Sequence, residues 1–519
     1  MTTANPKPTW LFALFNVALL TLLSLWLWQQ NQAVSIIEPQ LPSDGKLQCV
    51  SYSPYYHQGQ TPLNPSMFIE PAQIDRDLAL LSKRFNCVRI YSVSQGLDYV
   101  PEAASKLGMQ VYLGAWIGWV KSLNDKELNL AISIANKHPK TVKALIVGNE
   151  VLLRGEQTEV AMKAYLTKAK QATQVPVTYA DVWEFWRKYP ALESHVDFVT
   201  VHILPYWEDN PQSIEHAVDH TSNVMNLLKD AFKKPILIGE TGWPSVGRQR
   251  QESQPSSINQ AIYLREFLQL AHEKNWNYNL IEAIDQPWKR GLEGTVGGYW
   301  GIYNSDLSPK FTFNGDIKAR TDGLLPMLVG SLGALLFLGL SLYLNERRKS
   351  ALVALISLGA IFGINGLLQT EYLLAACQNG QEWLALGGVA AIGWIAIISL
   401  IWTVSKTNAN NLGLQQTCLT ILLLAAVAAS ILLIMDGRYR DYAISLYALP
   451  TLQLSFGLYL LKRSIRPKLQ FYYLLHMLLI VSAVYCLYLE PNNLLAYLWL
   501  AISMLIAAGI WPRRLTLPH

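Results

Sequence analysis

The stretch KALIVGNE, residues 143–150, passes from four consecutive apolar residues into an asparagine and a glutamate. Its apolar part has the length of a strand, and it is typical of strands that are buried on both faces of a parallel sheet. A buried strand that ends on a carboxylate needs an explanation, and the segments around it provide one.

Seven further apolar runs of strand length occur between residues 46 and 323: LQCVSYS (47–53), NCVRIYS (86–92), QVYLGAW (110–116), VPVTYAD (175–181), DFVTVHI (197–203), PILIGET (235–241) and LIEAIDQ (280–286). Segments with helical spacing of apolar residues lie between them: 71–85, 124–138, 159–172 and 256–274. Strands that alternate with helices indicate a parallel sheet, and eight such units predict an α/β fold, a (β/α)₈ TIM barrel.

The active site of such barrels lies at the C-terminal ends of the strands. Asn149 and Glu150 close the fourth predicted strand, and Glu240 closes the seventh in ILIGETGWPS (236–245). Either glutamate alone fits a helix N-cap or an ion pair, but two of them at one barrel mouth favour catalysis. Two carboxylates can cleave a glycosidic bond, one as proton donor and one as nucleophile, with retention when they stand about 5 Å apart.

Aromatic residues cluster after the predicted strands, where they reach the loop face. Nine of the 17 tryptophans lie in the barrel segment. Eight follow or border strand ends: Trp116, Trp119, Trp183, Trp186, Trp207, Trp243, Trp288 and Trp300. A buried tryptophan can belong to the core, but flat aromatic faces at a barrel mouth can stack on sugar rings, so several are expected to line a saccharide cleft.

Long apolar stretches indicate an all-α transmembrane bundle joined to the barrel. Residues 10–28 predict an anchor helix, with a cleaved signal peptide as the alternative, after a cytoplasmic N-terminus at 1–9. A linker at 29–45 and the barrel at 46–323 follow. Seven spans are expected within 324–519, at about 324–344, 351–370, 383–402, 417–435, 442–461, 470–489 and 492–511.

The distribution of charge predicts the orientation of these spans. Ten Lys and Arg residues fall in alternate connectors and the C-terminal tail, against two, Arg438 and Arg440, in the other connectors. The positive-inside rule then places both termini in the cytoplasm and the barrel outside. Residues 29–323 carry 29 Lys and Arg against 31 Asp and Glu, a net charge of −2, which offers nothing to nucleic acid. Arg438 and Arg440 are either ordinary interfacial residues or receptors for a lipid phosphate.

The remaining residue patterns exclude common cofactors. The barrel segment has no Gly-rich phosphate loop and no metal-ligand spacing, so neither cofactor nor metal is expected. Cys49 and Cys87 lie in apolar strand-like runs, where a buried free thiol and a disulfide are equally consistent with the sequence.

VGNEVL (147–152) and GETGWPS (239–245) resemble the two catalytic motifs of glycoside hydrolase family 17, the β-1,3-glucanase family of a clan of retaining barrel enzymes. NCVRIYS and EAIDQPWK (282–289) are similar to its second and eighth strands. The resemblance implies Glu150 as general acid/base and Glu240 as nucleophile. Together with the aromatic residues after the strands, it gives a set of candidate substrate-binding residues: Asn149, Tyr55, Arg89, Tyr91, Tyr206, Trp243, Asp285, Trp288 and Lys289. Asn149 would bind the 2-hydroxyl, while Tyr206 would orient Glu240 and Arg89 a carboxylate.

Residues 285–304 are more similar to bacterial members, which join this barrel to several membrane spans and build or remodel β-1,3- and β-1,6-glucans. We therefore expect a retaining β-glucanosyltransferase in the bacterial cytoplasmic membrane, with a β-glucan oligosaccharide or lipid-linked glucose as donor. Membrane lipids would be its other partners. A membrane-anchored endo-β-1,3-glucanase is the first alternative. A non-catalytic glucan-binding or export module is the second.

Overall fold

The computed structural model describes residues 7–405, 412–465, 467 and 471–510. The chain divides into two compact units. The barrel unit comprises Ser35–Val246 and Glu252–Ile317, and the helical unit comprises Met1–Val34, Gly247–Gln251 and Lys318–His519. The boundary predicted between residues 323 and 324 lies a few residues beyond the end of the barrel unit.

Eight parallel strands form a closed barrel in sequence order, which confirms the predicted fold class. They are β1 Leu47–Ser51, β2 Phe85–Arg89, β3 Gln110–Ala115, β4 Val142–Asn149, β5 Val177–Val182, β6 Val199–His202, β7 Ile236–Thr241 and β8 Asn277–Leu280. The first seven agree with the predicted runs to within three residues at either end. Buried apolar side chains on both faces of these strands made them recognisable.

The eighth strand was placed too late by the prediction. β8 ends at Leu280, where the predicted run LIEAIDQ begins. The strand was not recognised in the sequence because it contains Asn277 and Asn279, and asparagine is depleted in β-strands. Asn279 is nevertheless fully buried, and its Nδ2 donates to Ser51 Oγ and to the Gly239 carbonyl, both at 2.8 Å. Residues 281–286 therefore belong to the rim that follows β8.

Helices between the strands cover the barrel. They are α2 Pro71–Leu81, α3 Val100–Lys106, α4 Lys121–Lys137, α5 Glu159–Ala172, α6 Trp183–Lys188, α7 Ile214–Ala231 and α8 Ser257–Glu273, with the short rim helix α9 Arg290–Glu293. The amphipathic pattern explains their orientation, since α2 buries Ile74, Leu78 and Leu81 at helical spacing. All four helical segments expected from the sequence are present.

A disulfide joins two neighbouring strands inside the barrel. Cys49 and Cys87 are register partners on β1 and β2, and their Cα atoms are 4.5 Å apart. They pack with Tyr112, Ala144 and Ile146 in a small buried cluster. The sequence was consistent with either a free thiol or a disulfide at these positions, and the structure has the disulfide.

The helical unit has a helix at each of the eight stretches expected to be spans. These helices are α1 Lys7–Gln30, α10 Leu325–Tyr343, α11 Lys349–Ala376, α12 Gly380–Val404, α13 Leu412–Met435, α14 Ile444–Thr451 continuing through a π-turn into α15 Gly457–Leu460, α16 Phe471–Leu489 and α17 Leu494–Gly509. Among the described residues, six are long and apolar enough to cross a membrane, while 444–460 and 494–509 are shorter. Part of the orientation signal, Lys406, Arg466, Lys468, Arg513 and Arg514, lies outside the described residues.

Candidate active site

The backbone turns sharply where β4 delivers its glutamate. Gly148 has φ +85° and Glu150 has φ +53°, so the chain enters the left-handed region at a residue with a side chain. That conformation costs on the order of 1 kcal/mol for a non-glycine residue and is found disproportionately at functional sites. A hydrogen bond from Glu150 N to the Ala180 carbonyl at 2.8 Å holds the turn against β5. The Glu150 side chain is 23% exposed at the barrel mouth.

Glu240, at the end of β7, lies deeper, and two side chains from the C-terminal end of β2 and the residues after it hold its carboxylate. Its side chain is 6% exposed. Tyr91 donates to Glu240 Oε1 at 2.8 Å, and Arg89 Nη1 lies 3.3 Å from the same oxygen. Arg89 also donates from Nη1 to the Gly239 carbonyl at 2.7 Å and from Nη2 to Asn149 Oδ1 at 2.5 Å. One buried guanidinium thus positions both Glu240 and Asn149.

His202, which closes β6, lies between the two glutamates and was not singled out from the sequence. Its Nδ1 is 2.7 Å from Glu150 Oε1, and its Nε2 is 3.2 Å from Arg89 Nη1. An arginine can only donate, so Nε2 accepts and the ring proton sits on Nδ1, where it is donated to Glu150. The 3.5 Å between Nε2 and Glu240 Oε1 is accordingly no hydrogen bond. The rule that found Glu150 and Glu240, a polar residue ending an apolar strand, also applies to His202.

The surroundings of Glu150 favour its ionised form. Burial acts to raise the pKa of Glu150, but the hydrogen bond from His202, the electrostatic interaction with that side chain and the charges of Arg154 and Arg89 outweigh it, and the pKa is lowered. Glu150 is therefore a carboxylate in the free protein at neutral pH. A sugar bound against Glu150 would exclude water, and this further burial would raise the pKa of Glu150. A general acid needs such a rise, because it must hold its proton until the leaving group departs.

The reactive groups converge on a small volume. One carboxylate oxygen of Glu150, one of Glu240 and a ring nitrogen of His202 lie within 4.8 Å of one another. These are also metal-ligand types, but Arg89 already provides positive charge at Glu240, and both ring nitrogens of His202 have protein partners. The arrangement therefore favours a substrate carbon between two carboxylates over a metal ion.

Comparison with known proteins identifies this kind of barrel. A family model described as the BtgE/BtgC glycoside hydrolase domain matches residues 49–301, which contain all eight strands except the first two residues of β1. Residues 49–301 thus resemble a BtgE/BtgC glycoside hydrolase domain, and we call them the glycoside hydrolase domain. The glycoside hydrolase domain carries the whole cluster of Glu150, His202 and Glu240, and the family 17 resemblance seen in the sequence is confirmed.

Individual relatives of the glycoside hydrolase domain are fungal proteins. A glucan 1,3-beta-glucosidase of Candida albicans is 27% identical over 262 residues, covering 46% of this chain and 85% of the relative. A probable beta-glucosidase, btgE, of Aspergillus fumigatus is 26% identical over 264 residues, covering 49% of this chain and 45% of the relative. A solved family 17 beta-1,3-glucanosyltransferase from Rhizomucor miehei is 28% identical with a TM-score of 0.46, covering 51% of this chain and 97% of that one.

The rim after β8 adds two carboxyl groups that the sequence analysis missed. Lys289 Nζ donates to both oxygens of Glu282, at 3.1 and 3.0 Å. Burial raises the pKa of Glu282 to about 7, although Lys289 acts to lower it. Burial also raises the pKa of Glu293, on α9, and the charges of Glu150 and Glu240 act in the same direction. Lys289 thus lies beside Glu282 at the rim, and it also acts against the raised pKa of Glu293.

Asp285 belongs to the packing of the rim. Its Oδ1 accepts from Gly301 N at 2.9 Å and from Lys310 Nζ at 2.6 Å, and both side chains of the ion pair are 5% exposed. Burial raises the pKa of Asp285, while Lys310 acts against that shift. Because Oδ1 already accepts from two protein donors, Asp285 supports the loop, and its contact with substrate stays a prediction.

A Lys310→Met substitution is expected to destabilise the glycoside hydrolase domain by about 3–5 kcal/mol, because it leaves the buried Asp285 carboxylate without its partner. Thermal unfolding followed by circular dichroism measures the change. The double variant Asp285→Asn/Lys310→Met removes the unpaired charge and should recover most of the loss. Equal destabilisation of both variants would contradict a dominant role for the ion pair.

Three of the predicted aromatic binding residues are buried, namely Tyr55, Tyr206 and Trp243. The Tyr55 hydroxyl donates to Gln95 Oε1 at 2.5 Å and not to Glu150 or Glu240. The ring of Tyr206 packs 5.7 Å from that of Trp243, so its proposed role in orienting Glu240 remains a prediction. Trp243 is wrong as a stacking surface, because it is 0% exposed and its indole N–H donates to the Gln254 carbonyl at 3.0 Å. It supports the floor of the site.

Burial also sorts the other tryptophans into core and cleft. Trp186 and Trp300 are buried, so the core alternative holds for them as for Trp243. Trp288 is half-buried, and its indole N–H donates to Gln286 Oε1 at 2.8 Å, which leaves its ring at the rim. Trp116 and Trp119 are exposed. Fewer tryptophans are therefore free to line a saccharide cleft than the eight that follow or border strand ends in the sequence.

Proposed function

We propose that this protein is a membrane-embedded retaining β-glucanosyltransferase that elongates or branches β-glucan. The observation that carries the proposal is the approach of Glu150 and Glu240 to within 4.8 Å, with Arg89 and Tyr91 on the deeper carboxylate. Carboxyl groups about 5–5.5 Å apart suit a double displacement, whereas inversion needs about 6.5–9.5 Å to admit water.

In the first step, Glu240 attacks the anomeric carbon of the donor. The glycosidic C–O bond breaks as a glycosyl ester forms, and Glu150 gives its proton to the departing oxygen. Arg89 and Tyr91 hold the Glu240 carboxylate in position for attack. Asn149, fixed by Arg89, is placed to bind the hydroxyl next to the anomeric carbon.

In the second step, a hydroxyl group of an acceptor sugar attacks the anomeric carbon of the glycosyl ester. Glu150, now a carboxylate, takes the proton of that hydroxyl, a new glycosidic bond forms and Glu240 is released. The low pKa of Glu150 in the free protein limits its strength as a base but not its ability to orient the acceptor. Two inversions leave the β configuration unchanged.

Two features support a location outside the cytoplasm. The Cys49–Cys87 disulfide fits an oxidising compartment. The six long apolar helices fit a membrane domain, with the barrel on the outer side of a bacterial cytoplasmic membrane. Nucleotide sugars are not expected there, so the donor is proposed to be a β-glucan oligosaccharide or a lipid-linked glucose. The linkage formed is proposed to be β-1,3 or β-1,6.

A membrane-anchored hydrolase is the second candidate. It is favoured by the names of the fungal relatives, which are glucan 1,3-beta-glucosidases and probable beta-glucosidases. The same glycosyl ester serves both reactions, since water or a sugar hydroxyl can resolve it. The choice between them therefore depends on how well the acceptor side holds a sugar.

Product analysis of the full-length protein in detergent tests the proposal. The protein is incubated with laminari-oligosaccharides and, separately, with a lipid-phosphate glucose, and chain length and linkage are read by mass spectrometry and NMR. Glu240→Gln is the inactive control, and Glu159→Gln, on the surface of α5, is the matched active one. Products longer than the donor support transfer, and shorter products alone make the protein a hydrolase. Binding without any turnover makes it a glucan-binding module.

Replacing His202 is expected to move the pH profile. The hydrogen bond from His202 lowers the pKa of Glu150, so His202→Asn raises it, and Glu150 keeps its proton to higher pH. Because loss of the acid's proton sets the alkaline limb of kcat/KM, that limb should shift to higher pH. His195→Asn, which lies before the N-terminal end of β6, is the control. An unchanged limb would contradict the coupling of His202 to Glu150.

A further inference from the structure

An exposed apolar patch lies at one corner of the barrel mouth. It consists of Trp116, Trp119, Val120, Leu123 and Leu153, and we call it the platform. The first four come from the segment between β3 and the first turn of α4, and Leu153 follows β4. Trp119 is 70% exposed and Trp116 is 42% exposed. Two indoles in contact with water at a cleft are costly in free energy unless a ligand covers them.

The platform is held rigidly from beneath. Asn124 pairs with both backbone groups of Gly118, accepting from its N–H at 2.8 Å and donating to its carbonyl at 2.7 Å. Gln157, from the segment after β4, donates to the same carbonyl at 2.6 Å. The guanidinium of Arg154 lies 4.6 Å from the centre of the Trp116 ring. A surface fixed in this way loses little conformational entropy when it binds a ligand.

The register of the strands places the platform on the side of Glu150. Ala115 on β3 pairs with Val147 on β4. Trp116 comes one residue after Ala115, and Glu150 comes three residues after Val147, so both lie at the C-terminal ends of neighbouring strands. Arg154 connects the two, since it stacks on Trp116 and lowers the pKa of Glu150 by its charge. The platform thus adjoins the more exposed of the two catalytic candidates.

The role of Glu150 determines which sugar reaches the platform. A general acid must contact the oxygen of the leaving group, and by microscopic reversibility the same group contacts the incoming acceptor hydroxyl. Sugars bound beside Glu150 therefore belong to the leaving group in the first step and to the acceptor in the second. The bond to Glu240 forms on the other side of the cleaved linkage.

We propose that Trp116 and Trp119 form the acceptor subsite of the transferase, where the C–H faces of a neutral gluco-oligosaccharide stack on the indoles. Arg154 and Glu156, paired at 2.7 Å beside the stack, offer a donor and acceptors for the sugar hydroxyls. This assignment rests on the proposed function. An acceptor held there has a high effective concentration at the glycosyl ester and outcompetes water.

The ratio of transfer to hydrolysis tests the assignment directly. Both products arise from one glycosyl ester, so their ratio depends on acceptor binding and not on the rate at which the ester forms. In the full-length protein with laminari-oligosaccharides, Trp119→Ala and Trp116→Ala should each lower the ratio by about fivefold to tenfold, and Trp119→Phe should lower it less. Leu227→Ala, an exposed residue of α7, is the matched control and should leave the ratio unchanged.

An unchanged ratio in both tryptophan variants overturns the assignment while leaving the proposed transferase in place. If the unsubstituted protein yields only shorter products, the transferase proposal itself fails, and binding then decides the subsite. Laminaritriose is titrated against the Glu240→Gln protein with and without Trp119→Ala. Binding weakened by about fivefold to tenfold supports the subsite, and equal affinities overturn it.

Discussion

Glu240→Gln should abolish both transfer and hydrolysis, with turnover reduced by at least about 10⁴-fold. An amide cannot form the glycosyl ester, but it retains an oxygen that can accept from Tyr91 and Arg89, so the fold should persist. Initial rates with laminari-oligosaccharides measure the loss, and Tm and laminaritriose binding verify that the variant is folded. Turnover above about 1% of the unsubstituted rate would contradict a nucleophilic Glu240.

A smaller residue at this position provides a positive test of the same role. Glu240→Gly leaves space beside the anomeric carbon, and azide can then attack there from the face that Glu240 occupied. With an activated β-glucosyl donor, the expected product is the α-glucosyl azide, because only one inversion takes place. A β-azide, or no effect of azide, would contradict the placement of Glu240 on that face.

Glu150→Gln is expected to slow turnover of oligosaccharides on the order of 10²–10⁴-fold. The reason is that an alkoxide leaving group needs the proton that Glu150 donates. A 2,4-dinitrophenyl donor, whose leaving group needs no proton, should still form the glycosyl ester rapidly in this variant. Rapid-mixing kinetics should therefore show a burst of dinitrophenolate followed by slow release.

The burst separates Glu150 from a residue that merely binds substrate. Loss of binding would slow both donors alike and would show no burst. Glu159→Gln, on the surface of α5, is the control for a lost carboxylate that has no contact with the substrate, and it should turn over both donors at the unsubstituted rate without a burst. Equal losses on both donors in Glu150→Gln, without a burst, would contradict the acid/base role.

The fold was predictable because the barrel strands are apolar and alternate with amphipathic helices. The exception is β8, because its Asn277 is exposed and its Asn279 is a buried polar residue that donates hydrogen bonds across the barrel. Asn279 reaches Ser51 and the Gly239 carbonyl, and such long-range pairing leaves no local pattern in the sequence. The disulfide between Cys49 and Cys87 depends likewise on strand register, which composition does not reveal.

The site was predictable where chemistry and strand position coincide. Glu150 and Glu240 end strands, and the structure brings an oxygen of each to within 4.8 Å. His202 ends β6 in the same way, but a lone histidine after apolar residues carries less chemical meaning than two paired carboxylates. Trp243 follows Glu240 closely, and only packing shows that it faces the core.

The most direct test of the proposed transfer is to trap and discharge the glycosyl ester. The full-length protein is incubated with a 2-deoxy-2-fluoro-β-laminaribiosyl donor, and the labelled peptide is identified by mass spectrometry. The label should lie on Glu240, and laminaritriose should discharge it faster than buffer does, giving a product longer than the acceptor. A label on another residue would contradict the nucleophile, and discharge that laminaritriose does not accelerate would contradict transfer.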